Sequence, residues 1–220
     1  MKKFALPIGK RFEEVLLPED KILYDIHGNE APVCADVAAA ALEAIRNPIG
    51  TKPLREIVQA GEKITIIISD ITRLCGTADF LPVIVNELNG VGVKDEDITV
   101  IVATGTHRGH TAEEDAIVCG AEMAKRLNIV QHDSRNDNDM VTLGVTKYGT
   151  KVAINKVVAN ADRVILTGAV TLHPFAGFGG GRKAVLPGVA AYDSIMHNHA
   201  MTLSPVEDGG CNSACDSSLL

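Results

Sequence analysis

A chain of 220 residues, 46% of them hydrophobic, is long enough to bury a substantial core. Its 21 basic and 28 acidic residues leave a formal charge of −7, which argues against the basic footprint of a nucleic-acid binder or of a protein held on an anionic membrane. The basic opening MKKFALPIGKRFEE is interrupted at Pro7, Gly9, Lys10 and Arg11, too soon for a secretory signal, and no later stretch is long and apolar enough to cross a bilayer. Five cysteines, Cys34, Cys75, Cys119, Cys211 and Cys215, read as reduced thiols of a cytoplasmic protein; Cys211 and Cys215 alone lie close together, which is weak evidence for a metal or redox site.

In chain order, VCADVAAAALEAIR (33–46) predicts a helix that stops before Asn47-Pro48-Ile49-Gly50. A regular rhythm follows. ITIIIS (64–69) predicts a strand, then a polar segment and the helical ADFLPVIVNELNG; ITVIVAT (98–104) predicts a second strand, then a polar segment and the helical AEEDAIVCGAEMAKRL. VTLGVTKYGTKVAIN reads as a hairpin around Tyr148-Gly149, inserted antiparallel in the sheet, and RVILTG (163–168) as a third buried strand. Near-continuous Ile and Val runs alternating with helices predict an α/β fold, a mostly parallel sheet flanked by helices.

The polar segments carry the chemistry. Ser69-Asp70-Ile71-Thr72-Arg73 follows the first strand, Gly105-Thr106-His107-Arg108 the second, and Thr171-Leu172-His173-Pro174 with a glycine loop the third. Ligands of open α/β sheets bind outside the carboxyl ends of the strands, so these segments are expected to converge. Asp70 suits a helix cap as well as a chemical role. Arg73 suits a carboxylate or phosphate, or an ion pair with Asp70 or a neighbouring helix. His107 and His173, on separate strand ends, are candidates for proton transfer; His110 and His132 read as ordinary hydrogen-bonded residues. In Met196-His197-Asn198-His199, residues two apart on a helix point roughly 200° apart, so one imidazole faces a given site. The loop Gly177 to Lys183 matches neither a Walker A motif nor a dinucleotide fingerprint, and is either an anion or cofactor site or a structural turn. Lys183 could serve there as a point charge or a nucleophilic amine.

DITR (70–73), ATGTHR (103–108), HPFAGFGGGRKAVLPG (173–188) and IMHNH (195–199) together resemble the nickel-dependent lactate racemase family, from about Asn47 to Pro205. The resemblance implies an enzyme whose N-terminal domain, here residues 1–204, carries a nickel pincer nucleotide, a pyridinium mononucleotide holding nickel through two sulfurs and a carbon. Lys183 matches the lysine that tethers this cofactor covalently, and His199 the histidine that completes the nickel's coordination. His107 and His173 match the general acid and base. Arg73, with Asp70 close by, matches the substrate-binding arginine. The backbone of Gly179, Gly180, Gly181 and Arg182 would approach the cofactor. The implied partners are a small 2-hydroxy acid and the proteins that make the cofactor.

Two departures qualify the resemblance. Arg73 is followed by Leu74-Cys75-Gly76 where the family commonly has proline, and His173-Pro174-Phe175 differs from some lactate-specific members, so lactate, a related 2-hydroxy acid and a larger epimerisation substrate all remain open. Residues 205–220 read as a divergent, loose tail in place of the family's second α/β domain. That reading predicts a truncated, inactive half whose exposed surface promotes self-association as a homo-oligomer. The competing expectation is a noncatalytic α/β module that binds a phosphate-bearing ligand at the glycine loop.

Overall fold

The computed structural model describes residues 1–173 and 176–203. Pro174, Phe175 and the segment from Ser204 on, including the expected tail with Cys211 and Cys215, lie outside the described residues. The chain divides into two compact units, Met1–Ala35 and the part from Asp36 onward. The first is a hairpin of β1 (Lys2–Ile8) and β2 (Arg11–Leu17), which places Lys2 opposite Leu17 and Ile8 opposite Arg11. Gly9 turns the chain between them at φ 61°, a region glycine enters without steric cost.

The second unit opens with α1 (Val37–Arg46), whose first turn is capped by the Asp36 carboxylate on Ala39 N–H at 2.9 Å. After the short α2 (Leu54–Ile57) come β3 (Ile64–Ser69), α3 (Thr77–Gly90) and β4 (Ile98–Ala103). The helix expected next is two, α4 (Ala112–Cys119) and α5 (Ala121–Arg126), because Gly120 at φ 82° leaves the helical region between them. β5 (Asn128–Gln131) was not expected: four residues with two polar ends give no apolar run to read. The expected hairpin is present as β6 (Met140–Val145) and β7 (Lys151–Asn155), but it forms a separate two-stranded ribbon and is not inserted in the main sheet. The short α6 (Lys156–Ala159) then leads to β8 (Arg163–Leu166), which is not the buried strand expected: it stands at the edge of the sheet, so Arg163, Val164 and Leu166 are exposed. A two-residue pair, β9 (Leu172–His173) and β10 (Gly177–Phe178), and α7 (Tyr192–Ala200) complete the described chain.

The main sheet runs β5-β4-β3-β8, all parallel, with Ile64 level with Ile98 and Arg163. Alternation of side chains sorts the central strands between two apolar layers. Ile64, Ile66, Ile68, Val100 and Val102 pack against Leu81, Val85 and Leu88 of α3 and Met123 of α5. Ile67 and Ile101 face the other way, onto Ile154, Val158, Ala184, Val189 and Ile195. Each fully buried isoleucine is worth roughly 1.5–3 kcal/mol, so both layers must be covered for the sheet to persist.

The second layer is fastened by two local constraints. Gly188 has no room for a side chain, since an added Cβ would stand 2.2 Å from the Ala184 carbonyl oxygen and 2.9 Å from Ala103 Cβ. His132, 1% exposed, sits with Nε2 3.0 Å from the Ala190 carbonyl and accepts the Asn155 amide at Nδ1, 3.3 Å away. Its ring therefore carries one proton, on Nε2. Burial pushes its pKa below the ordinary value, outweighing the opposite pull of the Ala190 carbonyl.

Gly188→Ala should therefore lower stability by about 1–3 kcal/mol or more, read as a shift of the urea midpoint. The depressed His132 pKa means that the unfolded chain binds this proton before the native one does. Stability from His132 is complete above about pH 6.5 and declines as pH falls from there toward the native value. Urea titrations across that range should show a shallower pH dependence in His132→Gln than in the wild type.

Candidate functional site

Beyond the carboxyl ends of β3, β4 and β8 lies a cleft of about 380 Å³. Asp70 and Arg73 enter it from the turn after β3, His107 from the turn after β4, His173 from β9, Lys183 from the loop after β10 and His199 from α7. Gly179 and Gly180 also line it. Gly181 and Arg182, expected with them, are exposed and lie outside the lining; one Arg182 nitrogen bonds the Ala176 carbonyl at 3.2 Å.

Asp70 is buried to 3% exposure, and both carboxylate oxygens are engaged. Oδ1 accepts the Thr72 N–H at 3.0 Å and the Thr72 hydroxyl at 2.6 Å; Oδ2 meets His107 Nδ1 at 2.5 Å. Burial opposes ionisation here, but the hydrogen bonds from Thr72 and His107 and the attraction of the His107 ring prevail, holding the carboxyl below the usual range. Asp70 thus caps the 3-10 turn Ile71–Arg73 and orients His107 at once. An ionised carboxylate can only accept, so His107 Nδ1 carries a proton toward it and the neutral ring presents a lone pair at Nε2. Arg73 forms no ion pair with Asp70 or any other carboxylate among the described residues.

His173 is held the opposite way. Its Nδ1 accepts the Ala176 N–H at 3.2 Å, so the neutral ring carries its proton on Nε2. Burial lowers its pKa, and the charges of Lys183, Arg73 and His199 lower it further. Lys183 is brought down to about 8 by burial first, then by Arg73 and Arg182. His199 is lowered by burial and by Lys183. Asp70 is the one carboxylate lining the cleft among the described residues, and it is committed to Thr72 and His107. The cleft therefore holds an uncompensated surplus of positive charge suited to an anion. His197 points away, its Nδ1 3.0 Å from the Thr150 hydroxyl in the turn between β6 and β7.

The glycines serve packing as well as the cleft. An added Cβ on Gly179 would stand 3.2 Å from the Ala169 carbonyl, and one on Gly180 3.1 Å from the same atom. The Gly179 N–H is taken by the Thr171 carbonyl at 2.7 Å, which anchors the loop against residues 169–171. Sequence reasoning singles out none of Ser69, Thr106, Thr167 and Thr171, which also line the cleft. Ser69, Thr106 and Thr171 lie within the polar segments and Thr167 at the end of the third strand run, and that position is the signal that would find them.

Comparison with known proteins identifies the family. The family model described as the lactate racemase N-terminal domain matches residues 8–210. A lactate racemase of Thermoanaerobacterium thermosaccharolyticum is 33% identical over 201 residues, covering 90% of this chain and 47% of the relative. One of Lactiplantibacillus plantarum is 41% identical over 158 residues, covering 72% of this chain and 37% of the relative. The chain thus spans less than half the length of these curated relatives. Among solved structures, the T. thermosaccharolyticum lactate racemase apoprotein superposes with a TM-score of 0.80 at 32% identity, over 96% of this chain and 49% of the other. A Thermotoga maritima protein, with a TM-score of 0.58 at 20% identity over 72% of this chain and 41% of its own, shares the fold. With a matching model over most of its length and a superposable relative, the chain belongs to the lactate racemase N-terminal domain family.

Proposed function

We propose that this chain is the cofactor-carrying part of a 2-hydroxy acid racemase or epimerase that uses a nickel pincer nucleotide. The observation that supports this reading best is the meeting of Lys183, His199, His107, His173 and Arg73, from separate segments, in one cleft. The side chains fit such a group. No three His, Cys, Asp or Glu side chains among the described residues gather to hold a metal unaided, so a metal here needs donors that arrive with an organic molecule. Lys183 would tether that molecule and His199 would supply an imidazole. When bound, the cofactor supplies an acceptor for the hydride on the substrate's C2.

The chain's own residues then handle charge and protons. Arg73 pairs its guanidinium with the substrate carboxylate. His107 accepts the hydroxyl proton at Nε2, and Asp70 holds the ring in that tautomer and stabilises the imidazolium that forms. His173, with its proton on Nε2, stands as the complementary donor. Racemisation has to run from either enantiomer, so each histidine would have to serve as acid and as base. A noncatalytic phosphate-binding module would have no use for a buried Asp70 carboxylate that orients the His107 ring at the cleft, and the racemase reading is favoured for that reason.

Produced together with the cofactor-making proteins, the chain should gain mass on the peptide containing Lys183 and hold close to one nickel. Neither gain, with phosphate or nucleotide binding retained, would leave the module reading standing. In a protein that racemises, His107→Asn or His173→Asn should cost about 10²–10⁴-fold in rate with the cofactor still attached; loss of cofactor instead would show the roles to be misassigned. Without cofactor, Lys183 should be the lysine acetylated most readily near neutral pH. Its labelling should rise to half-maximum near pH 8, because the amine reacts only once deprotonated.

A further inference from the structure

His110 lies outside the cleft lining, its side chain 1% exposed, three residues beyond His107. Its Nε2 accepts the Ile71 N–H at 2.8 Å. An N–H arriving at Nε2 requires a lone pair there, so the ring proton sits on Nδ1, 3.0 Å from Asp115 Oδ1. Asp115 is fixed in turn by the Gln131 amide, 2.9 Å from Oδ1 and 3.1 Å from Oδ2, while Gln131 Oε1 accepts the His110 N–H at 2.9 Å. The network closes on itself and joins the ends of β3, β4 and β5 through α4.

The consequence concerns the peptide between Asp70 and Ile71. Within the turn that follows β3, the Thr72 N–H is satisfied by the Asp70 side chain and the Arg73 N–H by the Asp70 carbonyl. The Ile71 N–H has its acceptor outside the turn, on His110. That bond fixes the plane of the 70–71 peptide, and hence the backbone from which the Asp70 carboxylate reaches His107. One chain segment thus grips the turn at two successive residues, His107 by the side chain of Asp70 and His110 by the backbone of Ile71.

We infer that His110 is a positioning residue: by accepting the Ile71 N–H in a single tautomer set by Asp115, it holds Asp70 where Asp70 orients the His107 ring. This rests on the racemase reading for what His107 does, and not for how His107 is held. The test therefore uses the cofactor-free chain, so it stands or falls independently of racemisation.

The experiment is nitrogen-15 NMR of the histidine rings, with amide hydrogen exchange of Ile71, in wild type, His110→Gln and His110→Phe. In the wild type the His110 proton should be on Nδ1; a proton on Nε2 overturns the proposal. Gln keeps an acceptor where Nε2 stood and should retain slow Ile71 exchange and the wild-type His107 ring signature. Phe keeps volume without the acceptor. It should speed Ile71 exchange about tenfold, the factor expected for one hydrogen bond of typical net worth, and move the His107 ring toward a mixture of tautomers. Faster Ile71 exchange with unchanged His107 signals would make His110 merely structural and overturn the proposal, as would unchanged exchange or a Gln variant indistinguishable from Phe. Should His110→Phe not fold, the wild-type ring and the Gln variant decide.

Discussion

A buried carboxylate at the end of β3 is the constraint around which the cleft is arranged. An ionised group at 3% exposure is tolerated only if its oxygens are engaged, and Asp70 meets this with the Thr72 amide, the Thr72 hydroxyl and His107. Each partner has a structural consequence. The Thr72 contacts wind the chain into the turn that delivers Arg73, and the His107 contact fixes which nitrogen of that ring faces the cleft. Losing the carboxylate would leave the turn uncapped and the imidazole free to change tautomer.

The sheet explains why such a group stands there. β3 and β4 are covered on both faces by apolar layers, so their polar chemistry is confined to the strand ends. At those ends Ser69 and Ala103 line the cleft on the face that carries Ile67 and Ile101 further down the strands. Ala184 belongs both to that apolar layer and to the cleft wall, immediately after Lys183. The lysine therefore emerges from a packed floor, which is the burial that brings its pKa down.

How far this was legible in the sequence follows from the range of each interaction. The runs of β3 and β4 could be read because strands buried on both faces are written as unbroken apolar, β-branched stretches, and the site residues because they follow the strand runs directly; β8 was legible as a strand but not as the exposed sheet edge it forms. β5 could not be read, since Asn128 and Gln131 bound a two-residue apolar step. The hairpin of β1 and β2 escaped because apolar side chains stand on both of its faces, Phe4 and Leu6 on one, Phe12 and Leu16 on the other, which erases the alternation. His110 and His132 read as ordinary because their partners, Ile71, Asp115, Asn155 and Ala190, are chosen by tertiary packing and leave no local pattern. Arg73 was legible as an anion-binding candidate, but only the geometry removes the ion pair with Asp70 as its alternative.

The electrostatics of His173 tie the proposed tether to the proton chemistry. His173 takes a backbone N–H at Nδ1 and lies among positive groups, and burial together with those charges lowers its pKa. After burial itself, the Lys183 charge is the strongest influence lowering the His173 pKa, and it lowers that of His199 as well. Under the proposed function, joining Lys183 to the cofactor turns an ammonium into an uncharged amide-like nitrogen and removes that repulsion from both histidines. The step that anchors the cofactor would then also raise the basicity of His173, so that the proton affinity of that ring would depend on whether the cleft is loaded.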